Sequence, residues 1–156
     1  MKAYPLKEIK QELNHLSNEE LQNLCLRLSR FKKENKELLT YLLFEAQNES
    51  GYIKSVKQHI DEQFDLINTK SIFYIRKSMR KILTHTKKYI RYSKKKETEV
   101  ELLLYFCQKQ KDFKPSIKRS TQLQNMYARQ ILLIKKSVAT LHEDLQYDYN
   151  LILEDM

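Results

Sequence analysis

Residues 70–92 read KSIFYIRKSMRKILTHTKKYIRY and carry an apolar and a basic pattern in the same stretch. The apolar side chains recur every three or four residues, which places them on one face of an α-helix. They are Ile72, Ile75, Met79, Ile82, Leu83 and Ile90. The stretch therefore predicts a long amphipathic helix, with a start near Asn68-Thr69.

The same period extends along nearly the whole chain of 156 residues, which contains one Gly and two Pro. Sheets with hairpins need residues that accept a positive φ at their turns, and Gly supplies that conformation without steric cost. We therefore predict an all-α fold of six or seven helices in antiparallel hairpins, arranged as a helical bundle or a short α-α superhelix. The scarcity of Gly also excludes Gly-rich phosphate-binding loops.

The N-terminal third has the pattern of three helices. Pro5 suits a first helical turn, and Ser17 with Glu20 forms the capping-box pattern of a second helix. The expected buried face of that second helix comprises Leu21, Leu24, Cys25, Leu28 and Phe31. A third helix near residues 33–47 is rich in apolar residues between Leu38 and Phe44, so we expect it to be central to this part.

Residues Asn48-Glu49-Ser50-Gly51 form the clearest break in the helical pattern. The length favours one domain over 1–156, with a possible subdivision near Gly51 into a three-helix unit (1–48) and longer helices (52–156). One of those is expected near residues 96–111, and a last one starts at Pro115 and continues beyond residue 140.

The predicted last helix has a heptad-like spacing over residues 127–145, carried by Tyr127, Ile131, Ile134, Val138, Leu141 and Leu145. Leu132 and Leu133 widen the apolar arc beyond a coiled-coil seam, which favours an internal core and a monomer. A homodimer through residues 127–145 is the alternative.

The stretch Leu6–Ala46, LKEIKQELNHLSNEELQNLCLRLSRFKKENKELLTYLLFEA, resembles the start of a family of small bacterial helical proteins of unknown function. The shared features are a short Lys/Glu-rich helix, an S-x-E-E-L start and a third helix with K-E-L-L-x-x-L-L. The resemblance implies helical hairpins, and it brings no activity, ligand or site residue.

Catalytic and metal-binding patterns are missing from the chain. A di-iron site in a helical protein needs two Glu-x-x-His pairs, and only Glu12 with His15 fits that spacing. Cys25 and Cys107 have no second Cys or His at zinc-ligand spacing, so both are expected to be reduced core residues. No nucleophile motif is present. We therefore predict a protein that is not an enzyme and uses no metal or cofactor.

The first residues, MKAYPLKEIK, lack the apolar core of a signal peptide, and no apolar run approaches the length of a membrane-spanning helix. These two features predict a cytoplasmic protein without membrane association.

Positive charge is concentrated in the middle of the chain. Residues 70–119 contain 16 Lys and Arg against 4 Asp and Glu, although the net charge of the whole chain is +9. On a helical projection of residues 70–96 the basic side chains share one arc beside the apolar face. This basic stripe comprises Arg76, Lys77, Arg80, Lys81, Lys87, Lys88, Arg91, Lys94 and Lys95, and Tyr74, His85, Tyr89 and Tyr92 form a neighbouring strip.

Three interpretations of the basic stripe are open: a solvated surface, a contact with nucleic acid or another polyanion, and a contact with an acidic protein. The sequence favours a non-enzymatic helical interaction module with an unknown protein partner. The alternative is sequence-nonspecific nucleic-acid binding through residues 70–96. Sequence specificity is not expected, because Lys greatly outnumbers Arg and base readout relies on Arg.

Overall fold

The computed structural model describes residues 1–156 and contains helices and connections without any strand. There are eight α-helices, so the all-α prediction is confirmed and the predicted number of six or seven is wrong. They are α1 (Leu6–Leu13), α2 (Asn18–Phe31), α3 (Lys33–Thr40), α4 (Glu49–Asp65), α5 (Ile72–Ser93), α6 (Lys96–Asp112), α7 (Thr121–Val138) and α8 (Glu143–Glu154). A π-helical turn follows α3 at Tyr41–Glu45, and a 3₁₀ turn precedes α7 at Ile117–Arg119.

The break between α7 and α8 explains part of the wrong count, since the sequence predicted one continuous last helix. No Gly or Pro marks this break, and side-chain hydrogen bonds occur in the connection and at the start of α8. The Gln146 side-chain amide donates to the carbonyl oxygen of Leu141 at 2.7 Å, and the backbone N–H of Asp144 donates to Nδ1 of His142 at 3.3 Å. His142 is the N-cap of α8, and its bond satisfies the Asp144 N–H, one of the backbone groups that a helix start leaves unpaired.

The chain forms two compact units, Met1–Phe44 and Glu45–Met156. In the first unit α2 packs against α3 as a helical hairpin. The predicted capping box is present at the start of α2, because the Glu20 N–H donates to Ser17 Oγ at 3.2 Å and the Ser17 N–H donates to Glu20 Oε2 at 2.7 Å. The Asn35 side chain donates to the Leu28 carbonyl at 2.8 Å, which ties the start of α3 to the end of α2.

The expected core of this first unit is largely missing, because Tyr41 is its only buried residue. None of the residues of α1, α2 and α3 is buried, and the predicted inward face of α2 leaves Leu28 and Phe31 exposed. Leu42, Leu43 and Phe44 of the π-helical turn are also exposed, so the third helix is not a buried central element. Amphipathic spacing predicted which residues share a face and not whether another element covers it.

The predicted break near Gly51 lies a few residues earlier, at residues 46–48. Gly51 belongs to the first turn of α4, where its N–H donates to Oδ1 of Asn48 at 3.0 Å. Asn48 is thus the N-cap of α4, a position at which a short side-chain oxygen accepts from the first turn.

Helix α6 is the central element of the second unit, and α4, α5 and α7 all pack against it. It buries residues on several sides, including Leu102, Leu103, Phe106 and Cys107, whereas its polar side leaves Gln108 exposed. Ile134 and Val138 of α7 are also buried, which places this part of the heptad-like pattern in the internal core.

Polar contacts fix α4 against α6. Asp61 of α4 accepts hydrogen bonds from the Tyr105 hydroxyl at 2.7 Å and is paired with Lys109 at 2.8 Å. Burial alone would raise the pKa of Asp61, and the hydrogen bonds from Lys109 and Tyr105 lower it below its usual range. Burial and the hydrogen bond to Asp61 raise the pKa of Tyr105 to about 12. One turn earlier, Lys57 pairs with Glu101 at 2.6 Å.

Candidate nucleic-acid interface

The predicted long helix of residues 70–92 is α5, which begins with Ser71 as its N-cap and ends at Lys94 in the left-handed conformation, φ 59°. Most of the apolar face is oriented as expected, with Ile75, Met79 and Ile82 buried, whereas Ile72 is exposed. No Asp or Glu occurs between Asp65 and Glu97, so every charge on α5 is positive.

The nine predicted site residues differ in their exposure to solvent. Lys77, Arg80, Lys81, Arg91, Lys94 and Lys95 are exposed, whereas Arg76, Lys87 and Lys88 are half-buried. Near the end of α5 two of the lysines have local contacts. Lys95 pairs with Glu49 at 3.0 Å, and Lys88 lies 4.9 Å above the ring of Tyr89. The nine residues therefore do not form a uniform site, and the strongest convergence is at the start of the helix.

A groove of about 400 Å³ lies between the first half of α5 and α7. Gln122 of α7 joins the two helices, because its Oε1 accepts from the guanidinium of Arg76 and, at 3.4 Å, from that of Arg80. No acidic side chain lines this groove. The lining residues are Arg80, Leu83, Gln122, Asn125, Met126, Arg129 and Gln130. We call this the arginine groove.

Two polar atoms beside the arginine groove are buried without a hydrogen-bond partner, Nε of Arg76 and Oε1 of Gln130. Gln130 uses only its amide nitrogen, which donates to the Met126 carbonyl at 3.3 Å. Buried polar groups are normally paired, and each exception needs a physical explanation. Ordered water commonly satisfies buried polar groups of this kind.

Sequence reasoning missed Arg129, Asn125 and Gln122, because α7 was considered only for its apolar spacing. Gln122, Asn125 and Arg129 recur at intervals of three and four, so a search for a polar face on α7 would have found them. With Arg76 and Arg80, Arg129 brings three of the chain's seven arginines to one place. The low number of arginines is therefore offset by their concentration at this groove.

The predicted tyrosine strip is not a continuous exposed surface. Tyr92 is buried, and the half-buried Tyr89 makes edge-on contacts with Tyr92 at 6.1 Å and with His59 at 5.8 Å. At the start of α5, Phe73 and Tyr74 are both exposed, with ring centroids 5.7 Å apart. Exposed aromatic rings thus occur at the same end of the helix as Arg76 and Lys77.

Side chains that could carry chemistry of another kind are dispersed. No group of three His, Cys, Asp or Glu residues is arranged to hold a metal ion. Cys107 is completely buried, and burial raises the pKa of its thiol to about 12, which keeps it protonated. Cys25 is exposed, so its prediction as a core residue is wrong.

Comparison of the chain with models of protein families, with curated proteins and with solved structures finds no match. The resemblance of Leu6–Ala46 to a family of small helical proteins therefore stays a prediction. None of the helices combines the length and the apolar composition that crossing a membrane requires.

Proposed function

We propose that this protein is a non-enzymatic interaction module that binds the phosphate backbone of nucleic acid, without sequence specificity, through the arginine groove and the adjoining basic face of α5. The observation that carries the proposal is the convergence of Arg80 and Arg129 on one acid-free groove, with Arg76 joined to it through Gln122.

Guanidinium and amide groups suit this ligand chemically. Arg presents several N–H donors in a planar fork that matches phosphate oxygens, and it keeps its charge at every physiological pH. Asn125 and Gln122 add side-chain amide donors along the same wall. Together these groups contact a phosphodiester without reading a base edge.

The exposed lysines of α5 extend the positive field beyond the groove. Lys77 and Lys81 are exposed on the helix that carries Arg80, and a lysine acts on phosphate as a mobile point charge. Such contacts hold a backbone and attract it from a distance, with little dependence on sequence.

The exposed rings of Phe73 and Tyr74 favour a single-stranded ligand. Unpaired bases stack on aromatic side chains, and this stacking tolerates any base. Because the two rings lie close to Arg76 in the chain, one strand can place a base on them and its phosphates along α5.

The decisive experiment measures fluorescence anisotropy of labelled single- and double-stranded DNA and RNA of mixed sequence. We expect micromolar or weaker affinity at physiological salt, stronger binding at about 50 mM salt, and a log–log salt slope that corresponds to about three to six phosphates. The double variant Arg80→Glu/Arg129→Glu should weaken binding by about tenfold or more at low salt.

The matched control is Lys7→Glu/Lys10→Glu, which changes the net charge equally at two exposed residues of α1. It should leave binding within a few-fold of the wild type. Circular dichroism checks that both variants fold. Failure of the wild type to bind any of the nucleic acids at low salt, or equal weakening by the two variants, would exclude the proposal.

A further inference from the structure

The α2–α3 hairpin has an apolar groove of about 580 Å³ along one side. Its apolar lining is Leu26, Leu39, Leu43 and Phe44, of which only Leu39 is partly covered. Since no residue of α2 or α3 is buried, the hairpin leaves apolar surface in contact with water, which is costly in free energy.

Three basic side chains belong to the lining of this hairpin groove. Arg30 of α2 and Lys33 and Lys36 of α3 line it, and all three are exposed. Lys33 is paired with Glu37 at 3.7 Å, a long surface contact that contributes little. An apolar floor with a basic rim fits a helix that carries an apolar strip between acidic residues.

Helix α8 of this chain carries such an apolar strip between acidic residues on its outer face. Its inner side packs through Tyr149, and on a helical projection Tyr147 and Leu151 lie opposite, one turn apart. Both are exposed, at 67% and 47%. The acids Asp148 and Glu154 flank them on the two sides, and no Lys or Arg follows Lys136 in the sequence.

We infer that α8 of one copy docks into the hairpin groove of a second copy. The apolar strip covers the groove floor, and the carboxylates of α8 meet the basic rim. Lengths agree as well: the 12 residues of α8 span about 18 Å, and the groove lining extends over a similar number of residues from Lys33 to Phe44.

This contact joins two different surfaces, so each chain carries one of each. Two copies satisfy both surfaces if the contacts close reciprocally around a twofold axis, and otherwise the chains add head to tail. The inference does not depend on nucleic-acid binding, since the residues of the arginine groove take no part in it.

The test is sedimentation velocity of the full-length chain over the micromolar concentration range at low salt, without nucleic acid. The wild type should sediment increasingly as dimer or larger species as its concentration rises. Two variants reverse the charge of one surface each, Lys33→Glu/Lys36→Glu in the hairpin and Asp148→Lys/Glu154→Lys in α8. Each alone should weaken self-association by about tenfold or more, because like charges then face each other.

Mixing the two variants gives the specific result. The first retains a native α8 and the second a native hairpin, so an equimolar mixture should form a heterodimer that neither forms alone. Lys7→Glu/Lys10→Glu on α1 serves as the charge control and should associate like the wild type. A wild type that stays monomeric throughout the range would overturn the inference. Association that survives both variants would also overturn it, since it would arise elsewhere, for example through α7.

Discussion

Replacing the same residue type in two places tests where the core lies. Phe106 of α6 is 0% exposed and packs on Phe64 with ring centroids 5.7 Å apart, whereas Phe44 is 74% exposed. Phe106→Ala removes a fully buried ring and leaves a cavity, so it should lower the free energy of unfolding by about 3–5 kcal/mol. Phe44→Ala removes a ring that is mostly in water and should change it by no more than about 0.5 kcal/mol.

Urea unfolding followed by far-ultraviolet circular dichroism measures both variants against the wild type, at low protein concentration so that association does not contribute. With a slope of about 2 kcal/mol per M, Phe106→Ala should lower the midpoint by roughly 1.5–2.5 M, and Phe44→Ala should leave it nearly unchanged. A loss of several kcal/mol for Phe44→Ala would refute the assignment of the hairpin as an exposed surface, and with it the docking of α8. A small loss for Phe106→Ala would refute α6 as the central helix.

Three further results follow from individual side chains. In the folded protein a thiol reagent should modify the exposed Cys25 at once. It should react with the buried Cys107, whose pKa is raised to about 12, only after denaturant is added. Rapid reaction at both cysteines would contradict the fold. The pKa of Tyr105 is raised to about 12 in the folded protein, from a value near 10 in the unfolded chain. Its hydroxyl therefore contributes fully to the free energy of unfolding below pH 10, and this contribution is lost between about pH 10 and 12. Unfolding midpoints of Tyr105→Phe should therefore depend less steeply on pH in that range than those of the wild type, and identical slopes would disprove the contribution. The lowered pKa of Asp61 has the opposite pH dependence. Its carboxylate contributes to the free energy of unfolding above about pH 4, and this contribution is lost as the pH falls through the lowered pKa of the folded protein. Asp61→Asn should flatten the acid side of the same profile, and an unchanged profile would argue against the pairing with Lys109.

The sequence predicted those features that depend on neighbours along the chain. Periodicity placed α5 and α6 within one or two residues of their observed ends, although the N-cap of α5 is Ser71 and not the predicted Asn68-Thr69. Ser17 with Glu20 marked the start of α2 correctly. These features are local, because a helix face repeats every three or four residues and a cap spans one turn.

Features that depend on contacts between distant residues were missed. No Gly or Pro marks the end of α7, and the Leu141 carbonyl in the connection that follows accepts from the side chain of Gln146 in α8. The exposure of Leu43 and Phe44 depends on which element covers them, and apolar spacing does not contain that information. The arginine groove joins Arg80 to Arg129 across 49 positions, so only the packing of α5 beside α7 brings their charges together.

The order of the helices around α6 has a consequence for how the chain is made. Ribosomes deliver α4 and α5 before α6, so the apolar faces of these two helices have no central helix to pack on until Asp112 has emerged. Even then α7, which contributes Ile134 and Val138 to the same core, is still to come. Synthesis therefore passes through an interval in which the nascent chain exposes apolar surface, the condition under which chaperones bind and aggregation competes with folding. A fragment that stops after Ser93 should be captured by such chaperones or precipitate, whereas the complete chain should fold once it is released.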